Sequence, residues 1–240
     1  MIERQIAPKL KELAQYFSVV TIIGPRQSGK TTLAKSVFPT YNYVNLENLN
    51  DYTLAKTDFI SFFKKYPCPL IIDEIQLLPD LLHQIQVISD STKEKGIFIL
   101  TGSHQPLLHE KISQSLAGRT ALLKLLPLSI KELHQHNITL DRDEYILKGF
   151  MPRIYDENIP ADLLYSAYFQ TYVEKDIRQL INIGNIHLFE KFIKLLAGRI
   201  GQPVNLASLA NDTGVSATTI NSWLSMLEAC YIIFTLPCYF

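Results

Sequence analysis

The 240-residue sequence predicts an α/β protein, a parallel sheet covered by helices on both faces. Three observations carry that prediction. Runs that are apolar throughout, such as Val19-Val20-Thr21-Ile22-Ile23 and Leu70-Ile71-Ile72, recur along the first half of the chain. A strand apolar at every position is one buried on both sides. Segments with helical spacing separate these runs. The first run also opens into Gly24-Pro25-Arg26-Gln27-Ser28-Gly29-Lys30-Thr31, a full phosphate-binding loop of the form G-x-x-x-x-G-K-[ST] set between a strand and a helix.

Each element follows from its local pattern. In residues 1–17, Ile2, Ile6, Leu10, Leu13 and Phe17 alternate with charge at helical spacing, which predicts an amphipathic helix and not the uninterrupted apolar core of a signal peptide. Residues 19–23 form the first strand and 31–37 the helix after the loop. Tyr43-Val44-Asn45-Leu46 reads as a second strand, and residues 53–66 as a helix ended by Pro67. Residues 69–74 form an apolar strand closed by Asp73 and Glu74. A helix over 77–92 presents Leu78, Leu81, Leu82, Ile85 and Ile88 on one face. Residues 96–103 read as a buried strand and turn, and 121–128 as a fifth strand stopped by Pro127.

The pattern changes near residue 130. Helices are predicted over 163–181 and 188–200, followed by two shorter ones over 205–211 and 216–228. Asp212-Thr213-Gly214-Val215 joins the last two, with Ser216 as N-cap. A helix–turn–helix followed by the apolar strand Cys230-Tyr231-Ile232-Ile233-Phe234-Thr235-Leu236 is the outline of a winged helix cut off at its wing. The organisation predicted is a phosphate-loop domain over 1–130, a helical lid or linker over 131–185, and a winged-helix domain over 186–240. A hydrophobic strand left as an open edge is a liability, so a truncated longer protein is expected.

Composition sets limits on the function. Lys plus Arg and Asp plus Glu both number 23, so overall charge gives no support to binding nucleic acid or a membrane surface. No run approaches the roughly 18 apolar residues of a membrane span. Cys68, Cys230 and Cys238 show no metal-ligand spacing and are odd in number, which points to a reducing cytoplasm.

The candidate chemistry sits at the loop and at the ends of two strands. Gly24 and Gly29 let the backbone turn successive N–H groups toward one anion, and the cradle extends over Gly24, Pro25, Arg26, Gln27, Ser28, Gly29, Lys30, Thr31 and Thr32. Lys30 is placed to reach the β- and γ-phosphates, and the Thr31 hydroxyl to ligate Mg²⁺. Asp73 is placed to hold the same metal, and Glu74 to act as general base toward water. At the tip of the strand ending Thr101-Gly102-Ser103-His104, Ser103 is the first candidate for sensing the γ-phosphate and His104 the second. That strand is expected between the loop strand and the Asp73 strand. Arg119, ahead of the fifth strand, is a candidate finger for γ-phosphate charge, in its own subunit or in a neighbour. Arg26 and Arg153 are lesser candidates, and Glu174, Asp176 and Arg178 read as a solvated helix face. No Asn-Lys-x-Asp string is present to read guanine, so ATP is favoured over GTP.

Together, GPRQSGKTTL, PLIIDEIQ, LTGSHQ, SLAGR, LPLSIKEL and LASLANDTGVSATTINSWLSMLE resemble a large family of bacterial and archaeal AAA-type ATPases. The resemblance covers nearly the whole chain. It implies a P-loop NTPase core of the additional-strand type, then a helical and winged-helix segment. In the family a C-terminal domain of unknown function similar to restriction endonucleases follows, and this sequence stops before it. The function expected is an ATP-driven switch or motor acting on a partner, with a homo-oligomer implied if Arg119 acts from a neighbour. The alternative is a DNA-binding regulator under ATP control. Against it, residues 186–240 balance Lys191, Lys194 and Arg199 with Glu190, Asp212 and Glu228, and the recognition helix has no Lys or Arg. A lid or protein-interaction role is favoured for that segment. An ATP-binding protein with very slow hydrolysis fits the same residues.

Overall fold

The computed structural model describes residues 1–103, 111–112, 114–171 and 185–237. Five strands form one sheet: β1 (Val19–Gly24), β2 (Asn42–Asn45), β3 (Leu70–Asp73), β4 (Phe98–Ser103) and β5 (Thr120–Lys124). Their order is β2-β3-β4-β1-β5, and every pairing is parallel. β4 therefore lies between the loop strand and the Asp73 strand, as the sequence predicts. Parallel strands bring all their C-terminal ends to one edge, where Gly24 pairs with Ser103 and Asp73 ends the next strand but one. Open parallel sheets bind ligands at this edge.

Alternation along the strands explains why both faces are covered. Val19, Leu70, Ile72, Phe98 and Leu100 point to one side. There they pack against α3 (Leu49–Thr57), α4 (Phe59–Lys65) and α5 (Leu81–Ser91) through Ala55, Phe62, Leu81, Leu82 and Ile85. The intervening Val20, Ile22, Ile71 and Ile99 meet Leu10 and Ala14 of α1 (Ala7–Tyr16) and Leu33 and Ala34 of α2 (Lys30–Val37) on the other side. Each buried Leu or Ile contributes about 1.5–3 kcal/mol.

Three boundaries differ from the sequence prediction. The single helix expected over 53–66 is two helices, because Asp58 leaves the helical region (φ −146°) and its carboxylate caps α4 by accepting from Ser61 N at 3.0 Å. The helix expected from residue 77 starts at Leu81. Before it, Glu74 turns left-handed and Ile75–Leu77 forms a single 3₁₀ turn, while Pro79 cannot donate to a helix. β5 ends at Lys124 rather than 128. Leu125 N still donates to Ile23 O at 2.8 Å, but the next two carbonyls, of Leu126 and Pro127, accept from Arg4. Beyond them lie three short helices that the sequence reading did not identify: α6 (Ile130–Gln135), α7 (Arg142–Lys148) and α8 (Pro152–Asp156). Capping boxes Ser129/Glu132 and Asp141/Glu144 start the first two, and Leu133 and Tyr145 pack with Ile2 and Leu128.

The chain divides into two compact units, Met1–Ile159 and Pro160–Phe240. The segment read as a lid over 131–185 is thus shared between them, with its first part built onto the sheet unit through the Ile2–Leu133 cluster. The second unit contains α9 (Ala161–Tyr168), α10 (Ile186–Ala197), α11 (Leu206–Thr213) and α12 (Ala217–Ala229). Gly214 turns the chain at φ +90° between α11 and α12, and Ser216 caps α12 by accepting from Thr219 N at 3.1 Å. Trp223 anchors this unit, with ring centroids 5.1 Å from Phe189 and 5.3 Å from Phe192. The strand expected over residues 230–236 is not formed. After α12 the chain closes with Ile232 N donating to Leu227 O, and among the described residues of this unit there is no strand for it to pair with. Of the helix expected over 163–181, Glu174, Asp176 and Arg178 lie outside the described residues, as does His104 at the tip of β4.

Candidate functional site

The loop between β1 and α2 is held open by local backbone geometry. Gly24 sits at φ +157°, and a Cβ there would lie 2.0 Å from the Leu125 carbonyl oxygen, so β1 and the chain after β5 approach this closely only with glycine. Gln27 (φ +60°) and Gly29 (φ +89°) are left-handed, the alternation that turns consecutive N–H groups into one concavity. Gly29 is the N-cap of α2, so the positive end of the helix faces the same space.

Lys30 is 5% exposed, and its ammonium donates to the carbonyls of Gly24 (3.2 Å) and Pro25 (2.8 Å). Burial drives its pKa down to about 8, opposed by the nearby carboxylates of Glu74 and Asp73, while Arg26 adds to the lowering. The next side chain, Thr31, crosses to β3. Its hydroxyl lies 2.9 Å from each oxygen of Asp73. Two further hydroxyls fix that carboxylate: Tyr43 donates to Oδ2 at 2.9 Å, and Thr101 donates to Oδ1. Burial and the neighbouring Asp73 push the Tyr43 phenol well above its ordinary range, which keeps it a donor.

Glu74 departs from β3 at φ +59°, so its carboxylate diverges from that of Asp73. Burial raises its pKa, while Gln76 and Lys30 hold it down. Gln76 links it to β4: the amide nitrogen donates to Glu74 Oε2, and the amide oxygen accepts from Ser103 N at 3.2 Å. Glu74 N in turn donates to Thr101 Oγ1 at 3.3 Å. The buried Ser103 hydroxyl has no hydrogen-bond partner among the described residues, and neither has the buried Ser28 hydroxyl within the loop. Buried hydroxyls are nearly always bonded, so an unpartnered one at the tip of β4, beside the loop strand, suits a ligand rich in acceptor oxygens.

The remaining predicted residues separate into near and far. Thr32 stands on the first turn of α2 and, with Ile2, Arg4, Gly29, Leu33 and Pro152, lines a cavity of about 350 Å³ beside the loop. Arg26 lies close enough to shift the protonation of Lys30 and Glu74. Arg153 forms an ion pair with Glu157, both contacts at 2.9 Å. Arg119 is at the opposite end of the sheet. It precedes Thr120, which pairs with Val19 at the start of β1, and its guanidinium grips Asp90, with Nη2 3.0 Å from Oδ2. At about 3.3 Å per residue, the length of β1 places it some 17 Å from the loop. Within one chain Arg119 therefore does not reach the site, which removes the own-subunit half of the expectation.

Sequence reasoning missed Tyr43, Thr101 and Gln76, which orient the two carboxylates, and the buried pair Arg4–Glu132, which holds the loop from behind. Gln76 stands two residues past Glu74, and Glu132 closes an S-x-x-E capping box, so both had a readable signal. Arg4 had none, being one charge among several in a helical pattern.

Residues 16–134 match the family model described as AAA domain. This stretch is similar to the AAA domain, and it carries the sheet and loop of a P-loop NTPase fold. Residues 139–240 match a second model, described as a domain of unknown function (DUF8612). The chain is similar to an uncharacterized protein of Mycobacterium tuberculosis, 29% identical over 97% of this chain and 53% of the relative. A Haemophilus influenzae protein, also uncharacterized, is 27% identical over 94% of this chain and 64% of its own length. The chain thus spans between about half and two thirds of the curated relatives it matches. Among solved structures, the Walker-type ATPase PABY2304 of Pyrococcus abyssi superposes with a TM-score of 0.56 at 13% identity, over 96% of this chain and 90% of that one, which shows a shared fold. Among the described residues, no helix is long and apolar enough to cross a membrane.

Proposed function

We propose that the sheet unit binds ATP at the Gly24–Thr31 loop and hydrolyses it with Mg²⁺. The observation that carries this reading is the convergence, at one sheet edge, of Lys30, the Thr31–Asp73 contact, Glu74 and the unpartnered Ser103 hydroxyl. The loop N–H groups and Lys30 would neutralise the β- and γ-phosphates. The cavity lined by Ile2, Thr32, Leu33 and Pro152 offers an apolar wall for the nucleoside. Thr31 at the start of α2 and Asp73 at the end of β3 offer two hard oxygen donors, the donor type Mg²⁺ requires, and the ion would supply charge neutralisation at the β- and γ-phosphates.

Glu74, displaced from Asp73 by its left-handed backbone, would accept a proton from water as the water oxygen attacks the γ-phosphorus and the bond to the β–γ bridging oxygen breaks. ADP and inorganic phosphate leave. Burial raises the pKa of Glu74, which strengthens it as a base. Ser103 and Gln76 lie in one hydrogen-bonded chain with Glu74, so a change at the γ-phosphate would be felt across β3 and β4.

Since Arg119 is remote from its own loop, its route to a γ-phosphate is through a second copy, which makes the proposed ATPase a self-assembling one. For the second unit we favour a role in relaying the nucleotide state to a protein partner. Its helix α12 buries Ile220, Trp223, Leu224 and Leu227 and carries no Lys or Arg for phosphate contact.

The test is steady-state ATP hydrolysis over a protein-concentration series, with and without duplex DNA. Activity per subunit that rises with concentration, ignores DNA and falls in Arg119→Ala supports the assembled ATPase. Activity that appears only with DNA would transfer the proposal to the regulator.

A further inference from the structure

The segment before α1 is tied to the helices after β5 by three backbone donors. Ile2 N donates to Asp156 Oδ1 (3.1 Å), Glu3 N to His136 Nε2 (2.8 Å) and Gln5 N to Glu132 Oε1 (2.8 Å). Between them the Arg4 side chain turns inward, 10% exposed. Its planar fork is used on all sides. Nε donates to Glu132 Oε1 (3.0 Å), Nη1 to the Ser28 carbonyl (2.7 Å), and Nη2 to the carbonyls of Leu126 (2.5 Å) and Pro127 (3.1 Å). The second Glu132 oxygen accepts from Ser129 N at 2.8 Å, which closes the α6 cap. Burial alone would raise the Glu132 carboxyl. The N–H donors of Ser129 and Gln5, with Arg4, outweigh it and hold the pKa below the ordinary value.

We infer that Arg4 is a positioning residue for the phosphate loop: it fixes the Ser28–Gly29 peptide so that the Gly29 N–H faces the β-phosphate. The reason is peptide geometry. In a trans-planar unit the carbonyl and the following N–H point in opposite directions. With the Ser28 oxygen drawn toward Arg4, the Gly29 N–H is directed to the far side, where the loop N–H groups converge. Gly29 at φ +89° has the torsional freedom to lose this orientation, since glycine rotates at little steric cost. A restraint from outside the loop therefore matters. Because Arg4 is held by Glu132, the loop and the α6 cap share one hydrogen-bonded junction, and the orientation of the peptide depends on both.

This inference rests on the loop being the nucleotide site. It is tested by equilibrium binding of ADP and AMP to the full chain, wild type and Arg4→Lys, with the unfolding midpoint of each recorded. Lysine keeps a positive charge beside Glu132 but cannot span four partners from one ammonium. AMP lacks the β-phosphate. The expected result is that Arg4→Lys loses about tenfold of the wild-type preference for ADP over AMP, the worth of one charge-assisted hydrogen bond, with cooperative unfolding retained. Arg4→Ala should lose at least as much. If Arg4→Ala fails to fold, Arg4→Lys still decides. An ADP-to-AMP ratio in Arg4→Lys equal to that of the wild type would overturn the inference. If the wild type itself shows no preference for ADP and Lys30→Ala binds as well as wild type, the nucleotide reading falls and this inference with it.

Discussion

Thr31 and Asp73 meet across the sheet, the threonine hydroxyl 2.9 Å from both carboxylate oxygens although forty-two positions separate them in the chain. Neither residue has freedom to drift: Thr31 is on the first turn of α2, and Asp73 is fixed by Tyr43 and Thr101. Two oxygen donors held this way would supply a third of a six-oxygen cation shell.

The first prediction follows from that contact. Asp73→Asn and Thr31→Val should each lose the gain in ATP affinity that Mg²⁺ confers, a loss of about tenfold or more, while affinity measured in EDTA changes little. Titration of ATP with and without Mg²⁺ checks this, and a wild-type response to the ion in both variants would remove these residues from the metal site.

Lys30 carries the second. Its buried ammonium donates to two loop carbonyls, and no other lysine lies in the loop. Lys30→Ala should weaken ATP binding by about 100-fold, near 3 kcal/mol, the scale of a buried charge-assisted contact. A ligand-induced shift in unfolding temperature should vanish with it.

Gln76 supplies the third, through its bridge from Glu74 to Ser103 N. Gln76→Ala should slow turnover by about tenfold with KM within twofold, because orientation of the base is lost while the phosphate cradle is kept. A rise in KM at unchanged kcat would place Gln76 in nucleotide binding instead.

The fourth concerns pH and Glu132. Its folded-state pKa lies below the ordinary 4.5, so at acid pH the unfolded chain binds more protons than the folded one. The stability it contributes is therefore fully present above pH 4.5 and is lost as pH falls through the lower folded value. Wild type should exceed Glu132→Gln by roughly 1–3 kcal/mol at pH 7, the cost of uncoupling a buried pair that keeps some of its donors. Urea midpoints at pH 7 and at pH 3.5 should show the gap narrowing at the lower pH.

How much of this was legible in the sequence depended on how local the determinant was. The loop, the five strand cores and the carboxylates at the end of β3 are encoded within a few residues each, as is the Ser216 cap. The position of β4 between β1 and β3 followed from recognising the sheet type. The split at Asp58 was missed because an apolar periodic stretch outweighed one capping carboxylate. The short helices α6 to α8 fall below the length at which periodicity is readable, and α6 owes its place to Arg4, whose partners lie 24 to 128 positions away. The expected C-terminal strand failed for the converse reason: residues 230–236 have strand composition, but the described part of their unit offers no strand to pair with. The distance of Arg119 from the loop was readable and went unread: a residue ahead of a strand in a parallel sheet lies at the edge opposite the loop.

The most direct test of the whole account is to compare Glu74→Gln with wild type in the same preparation, measuring ATP affinity at equilibrium and release of phosphate under excess ATP. The account predicts affinity within about threefold of wild type together with hydrolysis reduced by 100-fold or more, because only the proton acceptor is removed. Hydrolysis at the wild-type rate in Glu74→Gln would contradict the assignment of the base and, with it, the proposed use of the sheet edge.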